Sequence, residues 1–392
     1  MCYCEESTRI IILLVLLVGV KANTNHTKLS DANNQFAFEL LKTFPGGRNV
    51  GFSPIGIYVS LAMAYAGATG ETAQQLNTSL HYHKTEMTRE TFHQSFNSLF
   101  DLLKSDRNGN RMEIANAILS EDGYEISPKY KHLVKENYHA FLSRNNTNAV
   151  RNVNRWIYRN TNRGIRNTLK EFSKDSRMML INAVYFKGTW AQTERNDWLN
   201  LNVFYNYGKE VRLTPMVNLR GKLGYGNYQS NIEAVNLPFR GEQYEMFIIR
   251  PFGNYSLSDV ENQIDYDVFE DIRKSLDVKH VDIKFPRFRM EKASKLKENL
   301  QYLGIENTFS RRASYFDINS KDDFYISDIL HKSIIEVNGK GTRLSLSTIV
   351  DSFLDRRSNA KYIKMVVDHP FMYLIRERNT GMIVMIGRLS SL

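Results

Sequence analysis

Cysteine, proline and long apolar runs are all scarce in this sequence, and each scarcity excludes a class of protein. The only two cysteines, Cys2 and Cys4, lie at the extreme N-terminus. A disulfide framework and a cysteine-based metal site are therefore excluded from the rest of the chain. No apolar run reaches the roughly 20 residues that span a bilayer, and the 8 prolines form no linker between domains. The sequence predicts one continuous globular body.

Catalytic and ligand-binding signatures are also missing. The chain has no G-x-S-x-G, H-E-x-x-H, P-loop or G-x-G-x-x-G motif, which are the spacings that hydrolases, zinc proteases and nucleotide-binding proteins need. Of the 9 histidines, His81 and His83 are close together, but no third metal ligand stands near them. We expect these two to be solvated loop histidines. The sequence therefore predicts no enzyme, no metal and no cofactor.

Positive charge is present in moderate excess and is locally concentrated. Lys and Arg number 52 against 42 Asp and Glu, a formal net charge of +10. This balance permits contact with polyanions without requiring nucleic acid, which we do not expect as a partner. Arg151, Arg155 and Arg159 recur every four residues, so on a helix they share one face. That stripe is open to two interpretations, a solvated helix face or a site for a glycosaminoglycan.

The N-terminus predicts export. Residues 10–20 form an apolar run of 11 residues, preceded by Arg9 and followed by a small-residue cleavage pattern at 20–22. Such a run is typical of a secretory signal peptide. We therefore expect a signal peptide at 1–22 and one secreted, extracellular domain at 23–392, with no membrane contact after cleavage. Four Asn-x-Ser/Thr sequons predict glycosylation: Asn25, Asn77, Asn145 and Asn254.

The pattern of the body predicts an α+β domain, with helices mainly before Met178 and strands mainly after it. Ser53–Pro54 predicts a helix start, because serine caps well and proline is favoured at the first helical position. The residues 72–75 have the form of a capping box for the next helix. The near-continuous apolar run 178–186 predicts a strand covered on both faces. A short helix is expected over 293–303. Further strands are predicted at 232–237, 244–249, 281–285, 371–375 and 382–386, the last two as a hairpin.

Five segments in sequence order resemble the serpin family over essentially the whole mature chain. They are Asn49–Pro54 with Gly67–Thr72, Asn154–Ile157 with Thr161, Leu180–Trp190, His331–Asn338, and Asp368–Phe371 with Gly387–Arg388. The resemblance implies helices packed around a large central β-sheet and smaller sheets, with an exposed reactive-centre loop at about 339–362. It also implies a secreted serine-type endopeptidase inhibitor that acts as a suicide substrate. The protease cleaves the loop and is acylated, and the loop then inserts into the main sheet.

The hinge of the loop has to be exposed before cleavage and half-buried afterwards. Gly341 fits the family pattern, and the residues after it alternate in polarity as a half-buried strand does. The residues expected to face the sheet interior are Thr342, Leu344, Leu346 and Thr348. The two leucines are larger than the family's usual small residues, and overpacking costs about 1–3 kcal/mol per site. The alternative is therefore a non-inhibitory serpin acting as a carrier or polyanion-binding protein.

The scissile bond is left between two positions. Counting forward from Gly341 places it between Asp355 and Arg356, whereas Arg357–Ser358 is the bond that a trypsin-like protease prefers. The expected partner is an extracellular serine protease, with a trypsin-like enzyme favoured, and we expect the inhibitor to be a monomer.

The resemblance further implies a polar network under the sheet that controls its opening. Ser53, Asn182 and His331 match its positions, and Trp190 matches the breach at one end of the sheet. Gly56 stands where the family usually has a second serine. Two outcomes are open: the missing hydroxyl leaves the network short of a partner, or nearby groups or water compensate for it.

Overall fold

The computed structural model describes residues 24–104, 109–173, 175–191, 201–321, 323–337 and 361–392. A helix α1 covers residues 24–42. The helices that follow are α2 (Pro54–Gly67), α3 (Gly70–Ser79), α4 (Arg89–Leu103), α5 (Pro128–Tyr138), α6 (Ala149–Asn160), α7 (Leu257–Gln263), α8 (Tyr266–Lys274) and α9 (Lys297–Tyr302), with short 3₁₀ turns at Tyr82–Thr85 and Asn307–Phe309.

The described strands form two sheets. The strands are β1 (Val50–Phe52), β2 (Arg111–Ser120), β3 (Phe141–Arg144), β4 (Met178–Lys187), β5 (Leu201–Asn206), β6 (Glu210–Tyr228), β7 (Ile232–Pro238), β8 (Tyr244–Pro251), β9 (Asp277–Pro286), β10 (Phe288–Lys295), β11 (Ile326–Val337), β12 (Ile363–Val366), β13 (Phe371–Glu377) and β14 (Ile383–Leu389). The larger, nine-stranded sheet runs β1-β14-β13-β8-β7-β6-β9-β12, with β5 also paired to β6. The five-stranded sheet runs β10-β11-β4-β2-β3. The α+β prediction is confirmed.

Strand β4 is buried on both faces, as its apolar run predicts. Successive side chains of a strand point to opposite faces, so Leu180 and Val184 join the main core with α2, whereas Ile181 and Ala183 join a second core under α6. Both cores need apolar partners. This need explains why the run 178–186 does not alternate between apolar and polar residues.

Helix α2 begins where its sequence predicts. The Ser53 Oγ accepts a hydrogen bond from the Gly56 N–H at 3.3 Å, and Pro54 is the first helical residue. All 14 residues of the helix are buried. The Ser53 cap therefore sits at the centre of the molecule, directly beneath the five-stranded sheet.

The predicted capping box at 72–75 is wrong. Helix α3 already begins at Gly70, whose φ of +54° is a conformation that glycine adopts easily. Thr72 lies inside the helix, and its Oγ1 accepts a hydrogen bond from the Ser314 N–H at 2.9 Å. The Thr72 hydroxyl therefore forms a tertiary hydrogen bond and does not form the helix cap that the local pattern predicted.

The short helix predicted over 293–303 starts too early. Ala293 to Lys295 belong to β10, where they pair with residues 330–332 of β11, and α9 begins only at Lys297. The end is correct, because Gly304 follows with φ +86°. Strands β2 and β3 lie in the half of the chain expected to be mainly helical, and no pattern in the sequence predicted them.

Candidate functional site

The centre of the five-stranded sheet is a parallel pair of strands. Strands β4 and β11 are hydrogen-bonded to each other directly, with register partners from Met178 opposite Ile326 to Lys187 opposite Glu336. Their outer neighbours, β2 and β10, are both antiparallel to them. Strand β11 ends at Val337, where the segment that carries the predicted reactive loop begins. The two strands that would have to separate to admit that loop are therefore in contact here.

A chain of buried polar groups runs beneath this strand pair. The Ser53 N–H donates to the Nε2 of His331 at 3.0 Å, and the His331 Nδ1 is 2.9 Å from the Asn182 Oδ1. The Asn182 Nδ2 donates to the Asn116 Oδ1 at 2.7 Å, and the Asn116 Nδ2 donates to the Tyr138 carbonyl at 2.8 Å. We call these five residues the polar chain. It connects α2, β11, β4, β2 and the end of α5.

The contacts fix the protonation of His331. Its Nε2 accepts a hydrogen bond from a backbone N–H, so the ring proton is on Nδ1, which donates to Asn182. The imidazole is therefore neutral. Complete burial lowers the pKa of His331 to about 3, because desolvation disfavours the charged ring.

Helix α6 lies across the other face of the same sheet. Val153 and Ile157 are fully buried in the second core, which also contains residues of β2, β4 and β11, and the Trp156 Nε1 donates to the Asn116 carbonyl at 3.2 Å. The helix packs mainly on β2 and β3, beside the β4–β11 boundary.

The basic stripe is on the outer face of α6, as its spacing predicts. Arg151, Arg155 and Arg159 are exposed, and in the described part of the chain their side chains make no hydrogen bond or ion pair. Residues 148–170 contain no Asp or Glu that could neutralise the stripe. The arginines share a face without a local counterion.

One end of the sheet is closed by charged and aromatic contacts. The Lys187 Nζ of β4 lies 3.5 Å from a carboxylate oxygen of Glu336 in β11, so an ion pair crosses the central boundary near the end of β11. Trp190, three residues beyond β4, is buried and stacks on Phe239 with ring centroids 4.5 Å apart. Opening the sheet from this end would break the ion pair first.

Comparison with known proteins decides the family. A family model described as "Serpin (serine protease inhibitor)" matches residues 31–392. The chain belongs to the serpin family. The family and the serpin fold predicted from the sequence are both confirmed, and the family is one of serine protease inhibitors.

Individual relatives agree with that assignment. Intracellular coagulation inhibitor 2 of Tachypleus tridentatus is 31% identical over 95% of this chain and 93% of its own length. Iripin-1 of Ixodes ricinus is 30% identical over 97% of this chain and 98% of its own. The crystal structure of uncleaved ovalbumin superposes with a TM-score of 0.82 at 25% identity, covering 93% of this chain and 100% of that one. Native protease nexin-1 with heparin, at 23% identity and a TM-score of 0.82 over 95% of this chain and 100% of that one, supports the fold alone.

The structure brings together part of the site predicted for this serpin. Ser53, Asn182 and His331 meet in the polar chain, and Trp190 lies near the end of the same sheet. Asn116 and Tyr138 complete the chain but were missed, since no local pattern marks either residue. The signal peptide, the hinge residues 341–348 and both candidate bonds at 355–358 lie outside the described residues.

Gly56 does not leave the polar chain short of a partner, which agrees with the second of the two outcomes left open by the sequence. The buried side chains of Asn182 and His331 are both hydrogen-bonded. A Cβ on Gly56 would lie 2.2 Å from the Asn182 Oδ1 and 2.7 Å from the Val184 Cγ2. The missing side chain therefore makes room for the Asn182 amide, and the hydroxyl of a serine is not needed.

We expect Gly56→Ala to lower the free energy of unfolding by about 1–3 kcal/mol, the usual cost of overpacking a core. The urea unfolding midpoint measures this effect. Gly46→Ala is the control, because nothing lies within 4 Å of a Cβ there. An alanine at position 56 that stabilises the protein, as alanine does in an open helix, would show that Asn182 can move aside without cost.

We expect the stability of the native serpin to fall as the pH drops below about 6.5. In the unfolded chain His331 takes up a proton with a pKa of about 6.5, whereas the folded pKa of His331 is about 3. Unfolding is therefore linked to proton uptake between these two values, and each such histidine removes about 2 kcal/mol by pH 5. The pKa of His93 is also lowered to about 3, mainly by burial, so it adds to the effect.

The contribution of His331 can be isolated by its pH slope. The slope of the unfolding free energy against pH gives the number of protons taken up on unfolding. In the His331→Gln variant, this number should be smaller by about one between pH 6 and pH 5. His132→Gln, at an exposed histidine, should leave the slope unchanged. An equal slope in both variants would mean that His331 is protonated in the native state.

The four sequons differ in accessibility. Asn25 and Asn77 lie in helices α1 and α3, and the Ser79 hydroxyl of the second sequon donates to the Leu303 carbonyl at 3.0 Å. Asn145 is half-buried in the turn after β3, whereas Asn254 is exposed in the loop after β8. Glycosylation remains a prediction, with Asn254 as its most accessible position.

The described ranges contain no cluster of three or more His, Cys, Asp or Glu residues placed to hold a metal ion. His81 instead lies 3.0 Å from the carboxylate of Glu39. Among the described helices, none has the length and apolar character needed to cross a membrane.

Proposed function

We propose that this serpin is a secreted inhibitor of trypsin-like serine proteases that traps its target covalently by loop cleavage and insertion. The observation that carries the proposal is the direct parallel pairing of β4 and β11. A loop that folds back after Val337 would enter between them antiparallel to both strands. One parallel ladder would then be replaced by two antiparallel ladders, which are more stable per residue.

The covalent step follows from serine protease chemistry. The protease serine Oγ attacks the carbonyl carbon of Asp355 or Arg357, and the peptide bond to Arg356 or Ser358 breaks. The leaving amine takes up a proton, and the loop residue stays attached to the protease as an ester. Insertion traps the ester if it is completed before water hydrolyses it.

The length of the β4–β11 pairing limits how much of the loop an inserted strand can use. Strands β4 and β11 are paired from Met178 to Lys187, and an inserted strand advances about 3.3 Å per residue. The alternating stretch 342–348 would lie in the first part of this gap, with its apolar side chains toward one core. The leucines that distinguish this hinge therefore have an apolar environment to enter, at the overpacking cost given above.

The first test is to incubate the protein with trypsin and to analyse the products by denaturing electrophoresis and mass spectrometry. A high-mass band that resists denaturation, together with a released peptide starting at Ser358, supports trapping at Arg357. A peptide starting at Arg356 supports the bond counted from Gly341. Cleavage without a high-mass band overturns inhibition by trapping.

Export is proposed on the apolar run at 10–20, and it needs its own test because the name of one relative describes an intracellular protein. We expect eukaryotic cells to release the chain into the medium with a new N-terminus at about residue 23. A full-length chain retained in the cells would overturn export without affecting inhibition.

A second candidate function is polyanion binding, which the unpaired basic stripe on α6 favours. Changing Arg151, Arg155 and Arg159 to alanine should lower the salt concentration that elutes the protein from heparin. The control changes Lys129, Lys131 and Lys135 of α5 to alanine, which removes the same charge elsewhere. If both variants elute at equally lowered salt concentrations, heparin binding depends only on net charge and not on the stripe on α6.

A further inference from the structure

The outward face of the last three strands of the nine-stranded sheet carries a regular set of cations. Register places Arg220 of β6 opposite Asp282 of β9, and Asp282 opposite Lys364 of β12. The flanking rows add Lys222, opposite His280, and Lys284, opposite Asn218 and Val366. We call Arg220, Lys222, Lys284 and Lys364 the basic face. Asp282 is the single acidic residue in these three rows.

The orientation of this face follows from the strands themselves. Leu219, Ile283 and Met365 are fully buried in the main core. Because neighbouring side chains along a strand point to opposite faces, the residues next to them in sequence point away from that core. Lys222 and Lys364 are accordingly exposed.

The charges of the basic face are not neutralised by the protein. Within the described ranges, the side chains of Lys222, Lys284 and Lys364 make no ion pair or hydrogen bond. Arg220 stacks on the Tyr362 ring, with its Cζ 3.6 Å from the ring centroid, and its buried Nε has no hydrogen-bond partner. The Asp282 Oδ1 is also buried without a partner, although Arg220 lies directly across the strand. The face therefore holds excess positive charge, with Lys222 and Lys364 exposed, that an acidic surface could neutralise.

Chain connectivity places this face next to the expected site of cleavage. Tyr362 is five residues after Arg357 and seven after Asp355, and an extended residue spans at most about 3.6 Å. Either bond thus lies within about 25 Å of Tyr362 along the chain. A specific protein interface buries about 800 Å² on each partner, from roughly 20–30 residues a side. A protease bound at that bond is therefore within reach of the basic face.

We infer that the basic face is a second docking surface for the target protease, and that it selects enzymes whose surface around the active site is acidic. This inference rests on the proposed function. The face attracts the protease before the loop enters its active site, so it raises the association rate without altering the chemistry that follows. The loop residue at the scissile bond and the basic face then both contribute to specificity for the target protease.

Anionic and cationic trypsin test the inference, because the two enzymes prefer the same bonds and differ in surface charge. At low ionic strength we expect Lys222→Glu with Lys364→Glu to lower the association rate constant with anionic trypsin about 10-fold. The loss should disappear at high salt, where exposed charges are screened. The number of inhibitor molecules consumed per trapped enzyme should stay unchanged. With cationic trypsin, the double variant should associate no more slowly than the wild type.

The control variant, Lys129→Glu with Lys135→Glu, makes the same change in net charge at two exposed positions of α5, away from the basic face. We expect its association rate with anionic trypsin to change less than 2-fold. Equal losses in the two variants, or no loss in either, would overturn the inference. If Lys222→Glu with Lys364→Glu weakens retention on heparin but leaves the association rate with anionic trypsin unchanged, the inference is also overturned. The basic face would then be assigned to polyanion binding.

Binding to anionic trypsin whose active-site serine is replaced by alanine separates this inference from the proposed function. That enzyme cannot be acylated, so its binding reports docking alone. Salt-sensitive binding that the basic-face variant weakens would support the docking surface even if no covalent complex formed with active trypsin. Covalent complexes that form at the same rate in every variant would support the proposed function and overturn the docking surface.

Discussion

Replacing Arg357 with alanine is expected to lower the rate of covalent complex formation with trypsin by roughly 30-fold to 5,000-fold. Trypsin recognises the residue before the scissile bond through an aspartate in its specificity pocket. Removing one member of a buried charge pair costs about 2–5 kcal/mol, and each 1.36 kcal/mol is a factor of ten in rate. The measurement is the second-order rate constant for appearance of the high-mass band.

Two controls interpret that result. Asp355→Ala removes the rival residue, and we expect it to change the rate with trypsin less than 3-fold. Lys361→Ala removes an exposed cation outside both candidate bonds and should have as little effect. If Asp355→Ala abolishes the complex while Arg357→Ala does not, the count from Gly341 is correct and the target class is wrong.

The second large effect is expected on heat stability after the loop is cut. Cleavage should raise the melting temperature by about 10 °C or more. For a chain of this size, with about 2.1 cal/mol/K of unfolding entropy per residue, that rise corresponds to roughly 8 kcal/mol. The gain comes from two antiparallel ladders in place of the β4–β11 pairing and from burial of Leu344 and Leu346. Calorimetry before and after limited proteolysis measures it.

The alternation of the hinge provides matched variants for this experiment. Leu344→Asp would place a carboxylate in the core on insertion, which is costly when the charge has no partner. We therefore expect the cleaved form of that variant to gain no heat stability. Leu344→Met keeps an apolar side chain of similar size at the same position and should gain nearly as much as the wild type. No gain in the wild type itself would favour the non-inhibitory carrier.

The sequence predicted those parts of the molecule that short-range chemistry determines. Ser53 and Pro54 start α2 because a cap and a fixed φ act within one turn of the helix. The run 178–186 indicated a doubly covered strand because both of its faces contact apolar cores. The resemblance to serpins selected Asn182 and His331, and the structure places their side chains 2.9 Å apart.

The predictions that failed concern residues whose structure depends on contacts distant in sequence. Thr72 was assigned to a helix cap because only its sequence neighbours were considered. Its actual hydrogen-bond partner, Ser314, is 242 positions away. Residues 293–295 favour a helix by themselves and become strand because β11 lies beside them. Asn116 could not be recognised, since its role is defined only by Asn182 on the neighbouring strand and by the Tyr138 carbonyl. The role of Gly56 likewise required the position of the Asn182 amide.

The pairing of β1 with β14 affects how this protein can be made in the cell. Val50 to Phe52 pair with residues 386–388, which a ribosome adds more than 330 residues later. At synthesis rates of about 5–20 residues per second, roughly 20–70 s separate the appearance of the two strands. During that time the strands of the nine-stranded sheet lack their final neighbours, β13 and β14. The nascent chain therefore exposes apolar sheet surface until β14 has been made, and a premature stop that removes β14 should yield an aggregating chain and not a smaller inhibitor.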